Sequence, residues 1–164
     1  MKPVEDALEF ARVAHGEQTY GDEPYAYHLK GVVDVARILG LSEEEQVECA
    51  LHDVVEDNKA SVLQVGEKFG HDIAAVVLFL ARNPEETYDA YIVRVATSPA
   101  ARRIKLCDLL FNHRECGKDE KRASLRVRYE RAIFYLATHP TIGIVPAAAA
   151  DGFLGGHRFF KERK

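Results

Sequence analysis

Apolar residues recur at three and four spacing along most of the chain, the period of helices that bury one stripe. Ala7, Leu8, Ala11 and Ala14 set this pattern for a first helix over residues 4–18, which should stop before Gly21. Tyr20-Gly21-Asp22-Glu23-Pro24 has turn chemistry. Pro24 suits the first turn of a second helix, to residue 39, because the N–H it lacks would have no partner there. Gly40 suits a C-terminal cap, and Ser42 with Glu45 forms a capping box. The third helix runs from Ser42 through Val47, Ala50, Leu51, Val54 and Val55 to about residue 57, with Asn58 as its stop. A shorter amphipathic helix follows over 61–69, closed by Gly70, and the almost wholly apolar run 73–81 reads as a buried helix, with a strand as the other option. Residues 87–96 and 99–112 carry capping residues at Glu86 or Thr87 and at Ser98, with Pro99 at the first helical position. A last helix over about 119–138 puts Leu125, Tyr129, Ile133 and Leu136 inside and Arg122, Arg126, Arg128 and Arg131 outside, and His139-Pro140 ends it.

No segment alternates with the period of a sheet, and no internal repeat or Gly/Ser linker divides the chain. The expectation is one all-α helical bundle over residues 1–140, then a tail, 141–164, of unassigned structure. At 164 residues the chain is long enough for a single core, so a metal is not required merely for folding. Any metal would serve chemistry. The longest apolar run has nine residues against the roughly 20 that span a bilayer, and the acidic N-terminus Val4-Glu5-Asp6 does not resemble a secretory signal. Three cysteines without a C-x-x-C pair fit packing residues in a reducing compartment, the cytoplasm. A net charge of -4 gives no electrostatic reason to expect nucleic acid. In the tail, Phe159 and Phe160 suit either a partly ordered terminus or an arm that packs on a second copy in a homo-oligomer.

Candidate chemistry concentrates in His52-Asp53-Val54-Val55-Glu56-Asp57, four ionisable groups among apolar neighbours. On a continuous helix His52 would stack with Glu56 and Asp53 with Asp57, giving two adjacent columns. Crowded carboxylates beside an imidazole are costly unless a cation compensates them. The alternative is a solvated helix end. A second pair weighs against that alternative: Asp108 and Asn112 stand four apart in an otherwise apolar and basic helix, and an inward Asp there demands a partner. His28 offers another imidazole from the helix before. Two His and two Asp suit manganese, iron, zinc or magnesium.

The order His28, His52-Asp53, Asp108 resembles the H…HD…D signature of HD-superfamily phosphohydrolases. The finer context, Glu23-Pro24-Tyr25, His52 to Asp57, and Lys105-Leu106-Cys107-Asp108-Leu109-Leu110-Phe111-Asn112, resembles the small alarmone hydrolases and the hydrolase domain of the RelA/SpoT stringent-response enzymes. That resemblance covers roughly residues 7–138. It implies an all-helical HD domain holding one manganese ion, with His28, His52, Asp53 and Asp108 as ligands. It implies that Glu56 and Asp57 handle the attacking water and that Asn112 contacts the nucleotide. The implied activity is removal of the 3′-pyrophosphate from guanosine tetraphosphate or pentaphosphate.

Lys105 is the favoured cation for phosphate charge, ahead of Arg102, Arg103 and Arg114, and Tyr129 is placed to close the pocket. Glu48, four residues before His52, is a candidate partner for that imidazole. His15, His71 and His139 read as structural or surface groups, and His113 as a rim or surface residue. The chain departs from the family pattern at Gln18-Thr19-Tyr20-Gly21, where those enzymes carry an Arg/Lys pair, and at His28-Leu29, where they carry His-Pro. Tyr20 could stack on a base or cover the core, but supplies no charge. Two other functions therefore stand beside the first: an HD hydrolase of another phosphoester, and a catalytically silent nucleotide-binding protein.

Overall fold

The computed structural model describes residues 3–117 and 123–139. Among these, eight α-helices carry the fold: α1 (Pro3–His15), α2 (Tyr25–Ile38), α3 (Glu43–Leu51), α4 (Val62–Phe69), α5 (His71–Leu80), α6 (Tyr88–Ala96), α7 (Pro99–Cys116) and α8 (Ala123–Thr138). The predicted tail, 141–164, with Phe159 and Phe160, lies outside the described residues, as does the predicted start of the last helix before Ala123.

Local chemistry sets most boundaries. The Ser42 hydroxyl accepts from the Glu45 N–H at 3.2 Å while the Glu45 carboxylate accepts from the Ser42 N–H at 2.9 Å. Ser61 and Gln64 repeat this capping box, and Thr87 and Ser98 cap α6 and α7. The buried faces of α2, α3 and α7 meet in the centre, where Leu29, Val32, Leu51, Ile104, Leu110 and Phe111 are fully buried. Gly31 makes this approach feasible, since a Cβ there would lie 1.9 Å from the Phe111 ring. The missing side chain lets α2 and α7 lie close enough to bring His28 toward Asp108.

The structure corrects several expectations. The first helix stops at His15, with Gly16 at φ +58°, and residues 19–24 form a hairpin of strands β1 (Thr19–Tyr20) and β2 (Glu23–Pro24) around Gly21 at φ +61°. Two-residue strands are too short to show alternation. Pro24 precedes the second helix instead of occupying its first turn. The 73–81 segment is a helix but is buried on one side only: Ala74, Val77 and Leu80 face the core while Leu78 is 50% exposed. The seventh helix continues past Asn112 to Cys116.

The largest difference lies at the candidate chemistry, because α3 ends at Leu51 and residues 52–58 form consecutive turns. The His52 ring Nδ1 bonds the Cys49 carbonyl at 2.8 Å, taking the acceptor that a continuing helix would offer to the Asp53 N–H. The Val54 N–H turns back to the Leu51 carbonyl at 3.1 Å, and the segment closes at Asn58, φ +55°. The continuous helix expected from the sequence is therefore replaced by turns, within which the Asp57 N–H still bonds the Asp53 carbonyl at 2.9 Å.

Candidate metal centre

His28 projects from the first turn of α2, His52 and Asp53 from the end of α3, and Asp108 from the middle of α7. Their tips converge. The His52 Nε2 lies 3.0 Å from an Asp53 oxygen, 3.3 Å from His28 Nε2 and 3.7 Å from Asp108 Oδ1. His28 Nε2 is 3.4 Å from Asp53 and 3.5 Å from Asp108. One ligand atom from each of His28, His52 and Asp108 lies within 4.8 Å of the others. With His52 Nδ1 donating to the Cys49 carbonyl, Nε2 is the ring atom that faces the cluster, the orientation that a metal ligand needs. Two imidazoles and two carboxylates in one buried spot can hold a divalent metal ion.

A surrounding shell fixes the carboxylates. The Tyr25 hydroxyl donates to Asp53. Lys105 Nζ donates to Asp108 Oδ2 at 2.7 Å, and Asn112 Nδ2 donates to Asp108 Oδ1 at 2.5 Å. The Tyr20 hydroxyl donates to Asn112 Oδ1 at 2.6 Å, while its ring stacks on His28 with centroids 4.9 Å apart. Tyr20 thus covers His28 and braces Asn112. Tyr129 is half-buried nearby, within the field of Asp108.

Burial opposes charge on His52, yet the carboxylates of Asp53 and Asp108 outweigh it and raise the imidazole well above its ordinary range. Burial would likewise push both carboxyls up. The imidazoles instead hold Asp53 well below its usual range, and Lys105 with the imidazoles does the same for Asp108. Opposite charge wins over desolvation for all three groups.

Glu56 and Asp57 leave the turn on different sides. Glu56 is half-buried in the field of Lys105, and burial pushes its carboxyl up while that ammonium offsets part of the shift. An Asp57 oxygen accepts from Gln18 Nε2 at 2.7 Å, and Gln18 Oε1 lies 3.0 Å from His15 Nδ1. His15 is buried and stacks on Tyr25 at 4.3 Å. From the sequence, Tyr25 and Gln18 belong to the compared motif without a role of their own, and His15 reads as a structural or surface group. A helical signal existed for Tyr25, three residues before His28 on α2, but Gln18 meets Asp57 across 39 residues.

Several assignments change with the coordinates. Glu48 does not orient His52; the Cys49 carbonyl does. Arg102 is buried and donates to the His139 carbonyl, Arg103 pairs with Glu45, and Arg114 stacks over Phe111, so none joins Lys105 at the cluster. His113 is a buried partner of Glu130 at 2.9 Å and does not lie at a rim. Cys49, Cys107 and Cys116 are free and buried, in keeping with packing roles.

The HD domain family model matches residues 7–85, the stretch that carries His28, His52 and Asp53. The chain is similar to the alarmone hydrolases. It is 29% identical over 133 residues to guanosine-3′,5′-bis(diphosphate) 3′-pyrophosphohydrolase of Aquifex aeolicus, covering 74% of this chain and 19% of that protein. It is 25% identical over 148 residues to GTP pyrophosphokinase of Myxococcus xanthus, covering 82% of this chain and 20% of that protein. The chain thus spans about a fifth of the length of these curated relatives. A metazoan ortholog of SpoT, described as hydrolysing ppGpp, shares the fold with a TM-score of 0.74 at 22% identity, over 94% of this chain and 92% of that one.

Proposed function

We propose that this chain is a metal-dependent phosphohydrolase that removes the 3′-pyrophosphate from guanosine tetraphosphate or pentaphosphate. The observation that carries the reading is the convergence of His28, His52, Asp53 and Asp108, with Glu56 and Asp57 on the turn that leaves it. Those four residues would hold one divalent ion, and manganese suits their nitrogen and oxygen donors. When bound, such an ion supplies Lewis acidity to the attacking water and to the phosphoryl oxygens.

The chain's own residues do the rest. Glu56, its carboxyl raised by burial, accepts the water's proton near neutral pH. Asp57, fixed by Gln18, orients that water toward phosphorus. The water oxygen bonds to the phosphorus next to the ribose, the bond to the 3′ oxygen breaks, and that oxygen ends as a hydroxyl. Lys105 and Asn112 keep Asp108 in place, and Lys105 adds positive potential where phosphate charge accumulates. Tyr20 and Tyr129 border the same space as contacts for the nucleotide. Free buried cysteines support a reducing compartment, the cytoplasm, as the place of action.

The hairpin favours a second reading. Its tip, Tyr20-Gly21-Asp22-Glu23, offers an exposed Asp22 and no cation for a nucleotide's phosphates, and the Tyr20 ring is already stacked on His28. Another phosphoester, such as a nucleoside monophosphate, is the alternative substrate. A panel of nucleotides assayed with manganese separates the two. Pyrophosphate release from guanosine tetraphosphate supports the first reading, and phosphate release from a monophosphate alone replaces it.

A further inference from the structure

A groove of about 650 Å³ lies between α6 and α8, lined by Tyr88, Ile92, Val127, Arg128, Arg131 and Tyr135 among others. This volume is in the range that holds a small organic ligand. Two of its lining residues are arginines. Among the described residues neither Arg128 nor Arg131 pairs with a carboxylate, whereas Arg12, Arg37, Arg94, Arg103 and Arg126 each do. Asp89 also borders the groove, with no ion pair to either arginine. Arg128 Cζ lies over the Tyr88 ring, 4.6 Å from its centroid, a cation–π contact that restrains the guanidinium.

Tyr88 lies against Tyr91 with ring centroids 6.3 Å apart, and Lys105 Nζ, which bonds Asp108, stands 5.2 Å from the Tyr91 ring. The Tyr88 hydroxyl is buried without a hydrogen-bond partner and sits in the fields of Lys105 and Asp108. A molecule seated against Tyr88 is thus separated from Lys105 by the Tyr91 ring.

We propose that this groove is the subsite for the end of the nucleotide remote from the scissile bond, taking a nucleoside 5′-diphosphate. Arg128 and Arg131 hold its phosphates, for which the guanidinium fork is matched, and Tyr135 presents an aromatic face to its base. The inference rests on the nucleotide reading given above and places on α8 the cations that the hairpin tip lacks.

The test uses GDP as the probe, together with turnover of guanosine tetraphosphate by the manganese-loaded protein. Wild type should bind GDP, and Arg131→Gln, at an exposed position, should weaken that binding about tenfold while melting as wild type does. Arg128→Gln/Arg131→Gln should abolish GDP binding and raise KM for the tetraphosphate by at least about tenfold, with kcat within about twofold. Arg131→Lys should recover part of the GDP affinity. GDP affinity unchanged in the double variant, or a wild type that binds no GDP, overturns the subsite even if hydrolysis is intact. Absence of turnover beside GDP binding that depends on both arginines instead overturns the hydrolase reading and leaves the subsite standing.

Discussion

Around the HD cluster each cation faces a carboxylate, with His52 at 3.0 Å from Asp53 and Lys105 at 2.7 Å from Asp108, while across Tyr88 the arginines 128 and 131 face an open groove with no such partner. The two regions sit on neighbouring helices and are linked through Tyr88, Tyr91 and Lys105. The cluster carries its compensation within the fold, so a metal ion entering it replaces protons already there. The groove leaves its compensation to a ligand, so its affinity should fall with added salt. Buried compensated charge marks where the chemistry is held, and uncompensated charge on a concave face marks where a substrate is gathered.

Breaking the cluster should have the largest effect. Asp108→Ala removes one candidate ligand and the carboxylate that neutralises Lys105. Metal analysis should show loss of the bound ion, and hydrolysis should drop below detection. Glu56→Gln leaves all four donors in place. It should retain the metal and lower kcat by about 10²–10⁴, the usual contribution of a positioned base, as measured by single-turnover rates. A Glu56→Gln protein with full activity would remove that residue from the mechanism.

A smaller effect concerns pH. Because Asp53 and Asp108 hold a proton on His52 well above its ordinary range, a metal ion must displace that proton. Apparent metal affinity, titrated calorimetrically, should rise by up to about tenfold per pH unit through neutrality. A flat profile would show that His52 is unprotonated before the metal enters.

The smallest expected effect lies beside the cluster. Glu48 is buried, one carboxylate oxygen has no hydrogen-bond partner, and burial together with Glu44 and Glu45 pushes its carboxyl up to about 7. An acid whose folded-state pKa is raised favours folding while protonated, and that stability is lost as pH rises through about 7. Glu48→Gln should therefore melt a few degrees higher than wild type at pH 8, roughly 3 °C, with the difference narrowing toward pH 5. Equal melting temperatures at both pH values would show that Glu48 is solvated or paired in solution.

The helices were legible where local chemistry decides them. Ser42 with Glu45, Thr87, Ser98 and Pro99 announce their caps in the sequence and form them in the structure. The ordered spacing of His28, His52, Asp53 and Asp108 also singled out side chains that the fold brings together. What stayed hidden was decided between distant segments or between a side chain and its own backbone. The end of α3 depends on the His52 ring taking the Cys49 carbonyl, which no helical periodicity records. Gln18 reaches Asp57 only because α1 and the turn after α3 pack together. The apolar run in α5 looked wholly buried, but the bundle covers just one of its sides and leaves Leu78 in solvent. The arginines of α8 read as surface charges, and only the groove beside Tyr88 distinguishes Arg128 and Arg131 from the rest.

The central claim is tested most directly by pyrophosphate release from guanosine tetraphosphate with added manganese, run beside Asp53→Ala. The account predicts robust release by the wild type and none by the variant, which should also lose its metal. Metal-loaded wild type that releases no pyrophosphate, or an Asp53→Ala protein that works as well as wild type, would contradict it.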